Sequence, residues 1–167
     1  FGLSLEPGPG GRPQPIVQSL QARLTADGLR FLAQGGIEEA ARRAPVGLQL
    51  EALQVSDAGI DLKLRISKSI IKSSMGTRLV LSAPGGDVLR AELTNLEMPG
   101  WVPLDLLLDT AVKQAGGAVQ RDPGNSHALL LNPARLLSSF GVPGRFAPGA
   151  WSVNTSAAGI DIGFRES

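Results

Sequence analysis

The stretch Gln21–Ala44, QARLTADGLRFLAQGGIEEAARRA, decides the fold: an extended segment ends at a helix cap, and the helix that follows carries an underfilled apolar face. Thr25 is the expected N-cap, its hydroxyl placed to accept from the orphan amides of the first turn, and Asp27 suits the positive end of the helix dipole. Leu29, Leu32, Ala33, Gly36, Ile37, Ala40 and Ala44 recur at i, i+3, i+4 spacing and predict one apolar face. Ala and Gly make up much of that face, which leaves room for another group to fill. Nothing in the stretch has the pattern of a catalytic motif.

Upstream, the even positions Ile16, Leu20, Ala22 and Leu24 are apolar, with Gln18 the exception, so a half-buried strand over Pro15–Leu24 feeds directly into the helix. Residues 1–14, FGLSLEPGPGGRPQ, are punctuated by Gly and Pro and predict a loose lead-in ahead of a single domain over 15–167. Downstream the period changes to two. Leu48, Leu50 and Ala52 share one parity and Leu53 and Val55 the other, which predicts a bulge or bend between Ala52 and Leu53. After the turn Ser56–Gly59, Ile60, Leu62, Leu64, Ile66 and Ile70 lie on one face of a long strand, opposite Asp61, Lys63, Arg65, Ser67 and Ser69. Further strands are expected over Thr77–Ala83 and Val88–Leu96, joined by the turn Pro84-Gly85-Gly86-Asp87. A second helix starts at Pro103, runs to about Ala115 and stops at Gly116-Gly117. A strand at His127–Leu131, a helical turn over Pro133–Phe140 and a hairpin carrying Trp151, Val153, Ile160, Ile162 and Phe164 complete the reading.

One internal echo stands out. Val55–Arg65, VSDAGIDLKLR, returns as Thr155–Arg165, TSAAGIDIGFR, with Ser, Ala-Gly-Ile-Asp and Arg in matching places. Duplication of a turn that launches an alternating strand explains the match most simply; a ligand shared by Asp61 and Asp161 is the other reading.

Ala22, Arg23, Leu24, Thr25, Gly28, Leu29, Phe31 and Gly35, read as A-R-L-T-x-x-G-L-x-F-x-x-x-G, resemble the opening strand and helix of the tubular lipid-binding (TULIP) superfamily. That group includes the bactericidal/permeability-increasing proteins and the single-module bacterial LmeA-like phospholipid-binding proteins. The likeness is specific over 22–35 and architectural elsewhere. Mammalian members carry a disulfide and paired modules, whereas this chain has no Cys and the length of one module, which is nearer the bacterial branch. The resemblance implies an α+β fold in which a strongly curved antiparallel sheet wraps around the long helix, with the second helix packed alongside. It also implies an extracytoplasmic setting, periplasmic or cell-envelope. Because the chain starts at Phe1 rather than Met, a signal or membrane anchor upstream is an expectation too.

Composition bounds the function independently. A chain of 167 residues buries roughly 70% of its unfolded surface and needs no metal or disulfide staple. A net charge of +1 gives no global signal for nucleic acid, and no run approaches the length of apolar chain that spans a bilayer as a helix. Without Cys, thiolate chemistry and Cys zinc sites are excluded. The one histidine, His127, opens a predicted strand after Gly-Asn-Ser and reads as a solvated strand-end residue; a hydrolase built on it is the weakest reading. No nucleophile elbow, Walker loop or dinucleotide fingerprint occurs. The chain therefore reads as a non-enzymatic binder without cofactor or metal.

Its suggestive chemistry is amphiphilic. Three of the four lysines fall in Lys63–Met75, KLRISKSIIKSSM, and no acid occurs between Asp61 and Asp87. Lys68 and Lys72 would meet anionic head groups while Ile70 and Ile71 dip into a bilayer surface. The plain alternative is a strand end with Ile70 in the core. Trp101, framed by Pro99, Gly100 and Pro103, is read as an interfacial ring, a cavity mouth or a plug at the end of a core. A sheet with one apolar face and a helix rich in Ala and Gly do not fill the space between them, so acyl chains would complete the core. Each methylene buried there contributes about 0.8 kcal/mol. The expected lining is Leu29, Leu32, Ile37, Leu62, Leu64, Ile66, Leu104 and Leu108, and the expected partners are a phospholipid-like amphiphile, an anionic membrane surface and, as an open matter, a second copy in a homodimer. The competing reading is a cell-envelope interaction module with a closed, dry core.

Overall fold

Pro13–Thr25 forms one long strand, β2, and Thr25 turns it into helix α1, Ala26–Arg43, in a computed structural model that describes residues 2–7, 13–139, 141 and 145–167. The Thr25 hydroxyl accepts from the Gly28 N–H at 3.2 Å, and the Ala44 N–H closes the last turn on the Ala40 carbonyl at 2.9 Å. Ahead of β2, Gly2–Pro7 is strand β1, paired antiparallel to it with Pro7 opposite Pro13. This corrects the expectation of a loose lead-in throughout 1–14. Strand pairing needs backbone groups rather than an apolar pattern, and Pro7 and Pro13 sit at strand ends, where a missing N–H costs little. Phe1 and residues 8–12 of that lead-in lie outside the described residues, as does Phe140 of the expected helical turn.

Four strands follow as antiparallel neighbours: β3 (Gly47–Ser56), β4 (Gly59–Lys68), β5 (Ile71–Gly85) and β6 (Val88–Glu97). Helix α2, Leu104–Gln114, then leads to β7 (Val119–Asp122) and β8 (Asn125–Leu131), giving a six-stranded sheet in the order β3-β4-β5-β6-β8-β7. The strand β7 is not expected from the sequence: it has four residues, and two of them, Arg121 and Asp122, are charged and engaged in ion pairs. After the short helix α3, Pro133–Ser139, come β9 (Arg145–Phe146), β10 (Gly149–Ser156) and β11 (Gly159–Glu166). These join the first strands in a second sheet, β1-β2-β11-β10, with β9 parallel to β2.

The six-stranded sheet is strongly curled. Its register shifts between Leu50 and Ala52 and at two places between β5 and β6, and such irregularities bend and twist a strand. The first lies one residue before the parity change at Ala52–Leu53, because Glu51 is the residue left unpaired. Asn95, at φ 50°, takes a left-handed conformation beside the second.

What fills the curl is the second sheet. Strand β10 lies against β5 and touches β3, β4 and β6, and Ile160, Val153 and Ile162 join Leu53, Val55 and Ile60 in one buried cluster. A second cluster combines Val17, Leu20, Trp151 and Phe164 with Leu89 from β6. The third, Val46, Ile66, Met75, Val102, Leu104 and Leu108, lies under α2. Helix α1 rests mainly on β3, an edge strand, and has no buried residue. The sheet is therefore not seen wrapped around the long helix; side chains from β10 and β11 occupy the place the resemblance gives to α1. Helix α2 packs on the six-stranded sheet through Leu104 and Leu108 and is tied to β7 by Arg121, whose guanidinium donates to Asp105 and Asp109 of α2.

Candidate functional site

Strands β4 and β5 run together past the edge of the core. Ile66 is fully buried, yet four residues on, in the two-residue turn Ser69–Ile70, the same apolar row has reached solvent. Ile70 is 95% exposed and Ile71 54% exposed. Lys68 pairs with Ile71 across the hairpin and Ser67 with Lys72, so an exposed lysine stands on each strand beside the two isoleucines. Ser69 makes the turn with φ 54°. The reading that puts Ile70 in the core is thereby excluded: the register carries it beyond the reach of Ile66 and Met75, the last buried residues of the two strands. The tip is a short amphiphile held by a ladder that continues into the core.

Trp101 is half-buried and packs on the cluster of Val46, Ile66, Met75 and Val102, at the same end of the molecule as the hairpin tip. It plugs that end of the core. Leu106, in the first turns of α2, is among the exposed large apolar residues, while Leu104 and Leu108 on its other side are buried.

The expected lining residues fall into three groups. Ile66, Leu104 and Leu108 are buried together and Leu64 leans on them. Leu29 and Leu62 are half-buried against the separate cluster around Ile60 and Ile160. Leu32 faces outward, 48% exposed, and Ile37 is half-buried on α1. Among the clefts described, Leu62 borders an open one on the outer sheet face and Leu32 one on α1; none brings two of the eight together.

Two features escape the sequence reading. Phe31 is 79% exposed and shares with Leu32, Gly35, Gly36 and Glu38 a cleft of about 440 Å³ on the outer side of α1. Its signal was its place off the apolar stripe, one turn before two glycines. The second is an aromatic trio, Phe146, Trp151 and Phe164, with ring centroids 5.0–5.1 Å apart: the expected hairpin pairs Trp151 with Phe164, but only the parallel pairing of β9 with β2 adds Phe146.

Polar geometry on the sheets serves the fold. Arg78 donates from Nε and Nη2 to Asp61 at 2.8 and 3.1 Å, and Arg23 does the same to Asp161 at 2.6 and 2.9 Å. The guanidinium hydrogen bond is the main reason that each carboxyl is held below its usual range. Both pairs lie directly opposite in register, so the echo between Val55–Arg65 and Thr155–Arg165 is structural. Arg90 binds Asp122 and Glu92 in a third such group and lowers the pKa of Asp122. His127 is exposed on β8, its backbone N–H donating to Asn125 Oδ1 at 2.9 Å. Among the described residues no cluster of three metal-ligand side chains occurs, and no helix is long and apolar enough to cross a membrane. Comparison of the chain with protein-family models, with curated proteins and with solved structures gives no match.

Proposed function

We propose that this protein is a non-enzymatic lipid-binding module that docks on anionic membrane surfaces through the β4–β5 tip. The observation that carries this reading is the tip itself: two isoleucines exposed side by side between Lys68 and Lys72, at the end of a hairpin anchored in the core by Ile66 and Met75. Burying an Ile is worth roughly 1.5–3 kcal/mol when complete. Each lysine near an anionic leaflet adds about 1 kcal/mol. Together they give an attachment in the weak, reversible range that suits a carrier or a peripheral protein, rather than a permanent anchor.

The cargo half of the proposal concerns α1. In the tubular lipid-binding arrangement the sheet closes round the helix; here α1 lies on an edge strand with Leu29 and Ala33 inward, so acyl chains of a phospholipid-like amphiphile enter between α1 and the cluster at Leu53 and Ile60. The resemblance at 22–35 supports this and the extracytoplasmic setting.

Co-sedimentation with vesicles of phosphatidylglycerol and phosphatidylcholine tests docking, and native mass spectrometry with solvent extraction tests cargo. Ile70→Asp with Ile71→Asp should abolish vesicle binding, and Lys68→Glu with Lys72→Glu should abolish only the preference for the anionic lipid. Wild-type protein that ignores anionic vesicles would end the docking reading. A mass that stays bare after exposure to lipid would end the carrier reading and favour the second one, a closed interaction module, which the burial of Ile66, Leu104 and Leu108 against one another already supports.

A further inference from the structure

The outer side of α1 exposes a large aromatic side chain, an exposed leucine and two bare glycines in one cleft. Glycine inside a helix costs stability relative to alanine, and such a residue is normally retained for a turn, a positive φ or a close approach. None of these applies within the fold: a Cβ added to Gly35 or Gly36 meets nothing within 4 Å, and neither has a positive φ. The missing side chains leave a hollow beside Phe31 and Leu32 that none of the described residues fills.

The charges along the same side are arranged head to tail. Asp27, Phe31, Gly35, Glu38 and Arg42 follow one another at intervals of three or four residues, so one stripe runs from an acid at the N-terminal turn to a base at the C-terminal turn. Asp27 and Arg42 are both exposed, and among the described residues each is held only by a neighbour within one turn of the same helix. A surface with a knob and a hollow, and with opposite charges at its two ends, is complementary to itself when turned through a two-fold axis.

We propose that α1 is the docking surface for a second copy of this chain, the two helices crossing antiparallel near Gln34. That crossing sets Leu32 opposite Gly36 of the partner subunit, where a Cβ is missing, with Phe31 at the rim of the same hollow. Asp27 then lies within a residue of Arg42 of the partner subunit, and the two helix dipoles oppose each other. The backbones approach at the short end of helix-packing distances. This association is independent of the β4–β5 tip.

Sedimentation equilibrium of the full chain over a wide concentration range tests it. Wild-type protein should show a reversible monomer–dimer equilibrium. Phe31→Ala should weaken it at least tenfold without moving the melting temperature of the monomer. Gly36→Leu should raise that melting temperature while abolishing the dimer, opposite signs that a purely structural role for Gly36 would not produce. Asp27→Arg should weaken association, and Asp27→Arg combined with Arg42→Asp should restore it. Protein that stays monomeric at all concentrations overturns the proposal, as does a dimer indifferent to Phe31→Ala. A monomer whose Phe31→Ala variant loses binding to phosphatidylglycerol vesicles also overturns it, by assigning the cleft to lipid. Ile70→Asp with Ile71→Asp should leave self-association unchanged, so failure of the membrane reading and failure of this one are distinguishable.

Discussion

Strands β3, β4 and β5 and strands β10, β11 and β2 are the same small device built twice. In each, a serine hydroxyl accepts from the amide two residues on, Ser56 from Ala58 and Ser156 from Ala158, both at 3.3 Å. Each turn ends at a glycine with strongly positive φ, +131° at Gly59 and +137° at Gly159. A Cβ there would collide with a carbonyl of the third strand, at Leu79 or Leu24. Next comes an isoleucine pointing into the cluster the two units share, then an aspartate clamped by an arginine of the third strand. Beyond Arg65 and Arg165 the units part. Strand β11 ends at Glu166, whereas β4 continues to Lys68 and turns through Ile70 in open solvent. The matching part has a structural account residue by residue; the unmatched part exposes apolar surface for which the fold has no use. That division is the physical reason to look for function at the tip.

The largest effect should come from the shared core. Ile60→Ala and Ile160→Ala should each cost about 2–5 kcal/mol in urea unfolding. Because both side chains belong to one cluster, the double variant should depart from additivity by about 0.5 kcal/mol or more. Strict additivity would show that the two units do not meet.

The turns come next. Gly59→Ala and Gly159→Ala should each lose roughly 1–3 kcal/mol from backbone strain, before any rearrangement of the third strand. Gly159 should be the more costly, since its added Cβ comes closer to carbonyl oxygen than that at Gly59. A neutral substitution at either site would break the equivalence.

The clamps should show in the pH dependence. Asp61 and Asp161 have depressed pKa values in the folded protein, chiefly through the guanidinium hydrogen bonds. Their contribution is thus fully present above the ordinary carboxylate value, about 4, and is lost as pH falls through the lower folded value. Asp61→Asn with Asp161→Asn should flatten the acid limb of a plot of melting temperature against pH between about 2 and 5. An unchanged limb would assign acid sensitivity to other groups, Asp122 first.

Least affected should be stability at the tip. Ile70→Asp with Ile71→Asp should leave the urea midpoint within about 0.5 kcal/mol of wild type, as expected for surface positions. A larger loss would return the isoleucines to a structural role and erase the contrast with β11.

Much of this was legible in the chain because the signals are local. Thr25 caps, Ala-Gly turns and the parity change near Glu51 are set by residues within a few positions of each other. The strand β1 was hidden because Gly and Pro speak for irregular backbone, and only the free edge of β2 makes pairing worthwhile there. What occupies the curled sheet was not legible either. Leu29 on α1 and Ile160 on β11 are equally apolar, and nothing local says which takes the place over Leu53 and Val55. At the tip the sequence left two readings open, because the same alternation that marks Ile66 as core marks Ile70 as core, and Ile70 is in fact exposed. Only the register, which ends the sheet between them, separates the two.

The pairing of β2 with β11 also bears on how the protein comes to be folded. Leu24 meets Ile160 and Arg23 meets Asp161, so the strand that launches α1 gains this neighbour only when the final hairpin of the structure is in place. The loop closed by that contact is nearly the whole chain, and such distant contacts slow folding because their entropy is spent before they return anything. The six-stranded sheet needs only adjacent hairpins and the shorter closure of β6 on β8 across α2 and β7. The protein should thus pass through a stage in which that sheet is formed and its apolar face still bare, and β10 and β11 arrive last to cover it.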